Sequence, residues 1–188
     1  MIKDMKALFF AVCFAPFFMV AQGDFRNMNW GETFEDLKGK TPDVKFEIEQ
    51  QGEWIVYTHK DVVAGTDAYV LYTFSEDGLI IAGYFFEYAL GAGINDRIRS
   101  YNTVSSRLSE KYSMTESNDW VDDTWKDSPD DLSFALGLGD VVLMETTETA
   151  RSVILHQMGK INGSFSHTVF YYSTEMMEQE SKERADDF

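Results

Sequence analysis

Polar and apolar positions along this chain follow two periods. Val44, Phe46 and Ile48 alternate with Lys45, Glu47 and Glu49, the period of two that predicts a half-buried strand. Residues 53–59 predict a second strand after Gln51-Gly52. Residues 68–74 and 79–87 flank Ser75-Glu76-Asp77-Gly78, and two apolar runs around a short loop ending in Asp-Gly predict a hairpin. The period then changes. Ile94, Ile98, Tyr101, Val104, Leu108 and Tyr112 form one apolar stripe, which predicts an amphipathic helix packed on a sheet. Asn95 or Asp96 is placed to cap its start, and Arg97, Arg99, Arg107 and Lys111 fall on its wet side. Residues 140–146, 152–158 and 167–173 predict three more strands, the last two joined by a tight Asn162-Gly163 turn.

The segment before the first strand has its own logic. Thr33 offers a hydroxyl where an N-cap belongs, Glu35 and Asp36 suit the positive end of a helix dipole, and Phe34 and Leu37 share a face. A short helix is expected there, ended by Gly39. Trp30 is expected to anchor the core and Gly31 to permit a turn. The order is then helix, four strands, helix, three strands. This favours the α+β class, with antiparallel sheets, one helix packed per half, and two similar helix-plus-sheet halves at 24–90 and 94–174. Together these make a single domain over 24–174, followed by an acidic tail, 175–188, that frays or ends as a loose helix.

Several of these marks recur together. Phe25, Trp30-Gly31, Tyr72-Thr73-Phe74, Gly78, Tyr101, Leu108, Lys111-Tyr112, Trp120 or Trp125, and Phe170-Tyr171-Tyr172 span nearly the whole chain after its leader. In this the chain resembles a broad group of small exported bacterial proteins. They begin with an aromatic residue, then Trp-Gly and a helix start. It departs from their usual Lys-Tyr-Gly by carrying Ser113. The resemblance implies export and an α+β fold and lends no catalytic residue.

The leader points the same way. Lys3 and Lys6 precede an apolar run over 7–20, and Ala21-Gln22-Gly23 offers a small-x-small cleavage site. That is the pattern of a signal peptide over residues 1–23. The run is shorter than the about 20 apolar residues a membrane span needs. A periplasmic or secreted protein is expected, with no membrane anchor after signal removal. Cys13, the single cysteine, lies inside the leader, so the exported domain has no thiol nucleophile, thiolate ligand or disulfide. A net charge of −16 repels phosphate backbones and excludes nucleic acid as a natural partner.

Three groups of residues are candidates for chemistry. Asp119, Asp122, Asp123 and Asp127, with Asp130 and Asp131, crowd one segment. Oxygen-rich loops bind calcium, although the ordered spacing of an EF-hand is absent. A solvated loop is the other reading, and no cofactor is expected. His156 and His167 are the second group. A two-residue turn at Asn162-Gly163 sets His167 opposite Met158, so the histidines become diagonal neighbours on one face, as a metal pair would be. A metal site needs a third ligand that the pattern does not supply. Trp120 and Trp125 are the third group. Beside acids they could grip a protein, peptide or glycan, or fold back over the core. No nucleophile elbow, zinc-binding His-Glu motif or phosphate loop occurs. The reading is an exported, non-enzymatic binding protein acting through Trp120 and Trp125. The alternative is a carboxylate-based hydrolase of the cell envelope or exterior.

Overall fold

The computed structural model describes residues 23–126, 131–161 and 163–178. Residues 1–22 of the expected signal peptide, Asp127, Asp130, Asn162 and the end of the acidic tail lie outside these residues. The described part is a mixed fold dominated by a nine-stranded antiparallel sheet.

The first helix, α1 (Phe34–Lys40), opens with a capping box. The Asp36 N–H donates to Thr33 Oγ1 at 3.3 Å, and the Thr33 N–H donates to Asp36 Oδ2 at 2.9 Å. Gly39 does not end the helix. It runs on to Lys40, and the C-cap is Thr41. Four strands follow in antiparallel succession: β1 (Glu47–Gln51), β2 (Trp54–Val63), β3 (Thr66–Ser75) and β4 (Gly78–Phe86). The expected strand at Val44 therefore starts later. Val44 and Phe46 precede β1, and Phe46 packs on Phe34 and Tyr57. Ile48 stands 65% exposed on a strand whose residues are all exposed.

Helix α2 (Ile94–Ser109) buries Tyr101, Val104 and Leu108, the middle of the predicted stripe. Its N-cap is Gly93, with no side-chain cap, so Asn95 and Asp96 fall inside the first turn. Next come the short strands β5 (Thr115–Glu116) and β6 (Asp119–Trp120), a 3-10 turn at Asp123–Trp125 and helix α3 (Leu132–Leu138). Strands β7 (Val141–Glu148), β8 (Ser152–Ile161) and β9 (Ser164–Ser173) complete the sheet, and residues 174–178 turn helical.

The order across the sheet is β1-β2-β3-β4-β9-β8-β7-β5, with β6 also on β7. The pairing of β4 with β9, from Ile81↔Tyr172 to Phe85↔Thr168, makes one continuous sheet where separate sheets were expected. Rows of side chains cross it. Tyr57, Tyr72, Ala82, Tyr171 and Ile154 form one row, and His59, Val70, Tyr84, Val169, His156 and Glu145 form the next. Phe34 of α1 stacks on Tyr57 with centroids 3.7 Å apart, and Phe25 packs against Tyr72, Tyr84 and Tyr171. A second cluster joins Tyr101, Ala135, Leu136, Val141, Leu143 and Met158.

The Trp-Gly lead docks on the β3–β4 turn. The Gly31 N–H donates to the Leu79 carbonyl at 2.9 Å, and the Leu79 N–H donates to the Glu32 carbonyl at 2.9 Å. A Cβ on Gly78, whose φ is +104°, would lie 2.3 Å from the Gly31 oxygen. Only glycine fits there. The Trp30 indole N–H donates to Ser152 Oγ at 3.0 Å, tying this lead to β8.

Candidate functional site

The described acids of this segment have separate places. Asp119 is exposed on β6 opposite Val142. Asp122 accepts from the Thr124 N–H at 2.9 Å and the Thr124 hydroxyl at 2.6 Å, so it caps the 3-10 turn, and those bonds lower its pKa. Asp123 contributes its backbone to that turn. Among the described residues no three His, Cys, Asp or Glu side chains gather to hold a metal ion. Trp120 and Trp125 are half-buried and pack on the second core cluster. The Trp125 N–H donates to Asp140 Oδ2 at 3.0 Å, and its ring meets Phe134 edge-on.

The histidines are brought together. Met158 opposes His167 in the β8–β9 ladder, and His156 Nε2 and His167 Nε2 lie 3.0 Å apart. Both rings are fully buried. His156 Nδ1 lies 3.2 Å from Glu145 Oε2, its direct partner across β7–β8. His167 Nδ1 lies 2.5 Å from the Tyr88 hydroxyl. The Ser105 hydroxyl, on α2, donates to Glu145 Oε1 at 2.6 Å. Two aromatic lids cover the rings: Tyr101 stacks on His156 at 4.0 Å, and Phe86 stacks on His167 at 4.3 Å.

With Glu145 ionised and accepting, one proton arrangement satisfies the whole chain. Tyr88 O–H donates to His167 Nδ1, His167 Nε2–H to His156 Nε2, and His156 Nδ1–H to Glu145. Burial pushes both histidines below their ordinary pKa, His167 to about 3, so both are neutral near pH 7. The hydrogen bond from His156 holds the Glu145 carboxyl down. Burial raises Tyr88, partly offset by the Ser100 hydroxyl and the Arg97 guanidinium that lies 5.0 Å over its ring. The arrangement can orient protons and rigidify the core. Each imidazole nitrogen is already engaged, which leaves the pair no free nitrogen to offer a metal.

A solvent-open cleft of about 840 Å³ lies elsewhere, at the end of the sheet. The lead, the start of β2 and the β3–β4 turn form one side through Trp30, Trp54 and Asp77. The β7–β8 turn and the end of β9 form the other through Arg151 and Ser173. Trp54 is 42% exposed, and Glu53, Asp77 and Glu175 are exposed around it. Arg151 is held at 2.9 Å by Asp24, which also accepts the Trp30 backbone N–H at 2.8 Å.

Sequence reasoning found the histidine pair but missed its partners. A turn centred on Ala150-Arg151 would have set Glu145 opposite His156, and this was the available signal. Tyr88, Ser105 and the cleft arise from tertiary packing and carry no local signature. Comparison of the chain with protein-family models, curated proteins and solved structures finds no match.

Proposed function

We propose that this is an exported, non-enzymatic binding protein whose ligand sits in the cleft lined by Trp30 and Trp54. The observation that carries the reading is an open concavity of about 840 Å³ with an indole 42% exposed in its wall. Binding sites are concave and combine aromatic surface with a few polar groups, and Trp is a favoured anchor. The cleft supplants the Trp120 and Trp125 segment as the candidate surface because those indoles are half-buried against core residues. Reading the chain as two helix-plus-sheet halves, 24–90 and 94–174, fits this assignment. Trp30, Trp54 and Asp77 come from the first, and Arg151 and Ser173 from the second. The hydrolase reading has weaker support. It needs two acids converging in an apolar cleft, whereas Glu53, Asp77 and Glu175 are solvent-exposed and Glu145 is bound to Ser105 and His156.

The chain has 4 tryptophans, two in the cleft and two, Trp120 and Trp125, outside it, so their indole N–H resonances report on both surfaces. Titration of the 15N-labelled protein with cationic peptides, anionic peptides and chitooligosaccharides should move Trp30 and Trp54 and leave Trp120 and Trp125 in place. Trp54→Ala should weaken the bound probe by about tenfold or more. Shifts confined to Trp120 and Trp125 would refute the assignment.

A further inference from the structure

We infer that the cleft takes a cationic peptide segment, one that presents successive Lys or Arg side chains in extended form. This rests on the cleft being the binding site, and three observations choose the ligand. First, the charge balance is one-sided. Glu53, Asp77 and Glu175 line the cleft against a single base, Arg151, whose charge is met by Asp24 at 2.9 Å. Asp24 is itself held in place, its side chain only 9% exposed. Acid is therefore left over. Second, Trp54 offers an accessible indole beside those acids, the surface to which an ammonium or guanidinium is drawn. Third, the acids are dispersed. Among the described residues no three carboxylates or imidazoles converge as a metal ion requires, and about 840 Å³ exceeds the needs of one side chain. Spaced negative charges around an open cleft match several cations carried on one backbone. The net charge of −16 adds steering toward a basic partner and away from an anionic one.

The test uses tetralysine, its Nε-acetylated form, tetraglutamate and chitotetraose as probes, with the Trp30 and Trp54 indole resonances as readout. Tetralysine is expected to shift both. Its affinity should fall as salt rises from about 20 to about 200 mM, and acetylation should weaken it by about tenfold or more. The triple variant Glu53→Gln/Asp77→Asn/Glu175→Gln should lose binding to a similar degree with unchanged melting temperature. Glu47→Gln/Glu49→Gln, on β1 and outside the cleft lining, should bind as the wild type does. Equal loss in that control would reduce the effect to overall charge and overturn the inference. If acetylated peptide or chitotetraose moves Trp30 and Trp54 as strongly as tetralysine, the cleft stands as the site and the cationic class fails. If none of the four probes moves either indole, the cleft reading falls with it.

Discussion

The buried histidine chain and the open cleft draw on the same materials and use them in opposite ways. Each sets aromatic rings beside carboxylates and hydrogen-bonding groups. In the core, Tyr101 and Phe86 cover His156 and His167, and each polar atom along the Tyr88–His167–His156–Glu145 chain has a partner, while the buried hydroxyl of the Tyr101 lid has none. In the cleft, Trp54 keeps an exposed face and the acids outnumber the bases. The difference separates an internal brace from a surface ready for a partner. A polar network that satisfies itself rigidifies a core, and one that leaves charge and aromatic surface unsatisfied is suited to a ligand.

The comparison can be broken by mutation, and the largest effect is expected in the core. His156→Leu removes one partner of Glu145 and the Nε2 partner of His167, leaving that buried imidazole N–H unpaired. It should cost about 2–4 kcal/mol in urea unfolding. A loss below about 1 kcal/mol would show that the chain does not brace the fold. Acid should act in the same direction. Both histidines have lowered pKa in the fold, so below about pH 6.5 the unfolded chain takes up protons that the folded one refuses. Stability should decline as pH falls from there toward about 3, where the folded His167 titrates, by up to about 1.4 kcal/mol per pH unit from that histidine, with the lowered His156 adding to the decline. The lowered pKa of Glu145 adds a further loss at the acid end. His156→Leu should flatten this slope, and an unchanged slope would place the acid sensitivity elsewhere. Tyr88→Phe deletes one donor and should cost about 1 kcal/mol, with a value near zero disconnecting Tyr88 from the chain. Trp54→Ala, at the cleft, should change stability by less than about 0.5 kcal/mol while weakening ligand, and a large loss of stability would make that indole structural.

The sequence announced regular patterns and kept silent about long-range assembly. The strands at 68–74, 79–87, 152–158 and 167–173 were legible because alternation and Asp-Gly or Asn-Gly turns agree about them. The histidine register followed from turn length alone, since a two-residue turn leaves one way to pair the strands. Helix α3 escaped because it is one short piece, LSFALGL, with a Gly near its end and an Asp-rich segment before it. Strands β5 and β6 are two residues each, too short for any period. The cap of α2 was misassigned because Asn95 and Asp96 are both good cap types, while the helix is entered two residues before Asn95, at Gly93. The cleft draws on segments far apart in the chain, from Trp30 to Glu175. Nothing local to any of them announces a concavity.

The strand order also leaves the sheet open, and its first edge is β1, exposed along its whole length. Bare strand edges are templates for amyloid-like growth, and natural proteins guard them with charge. Glu47 and Glu49 occupy that margin, so two copies approaching edge to edge bring acid against acid. The same guard is removed when both carboxylates are replaced by apolar side chains. Glu47→Val/Glu49→Val should therefore associate edge to edge and aggregate more readily than the wild type.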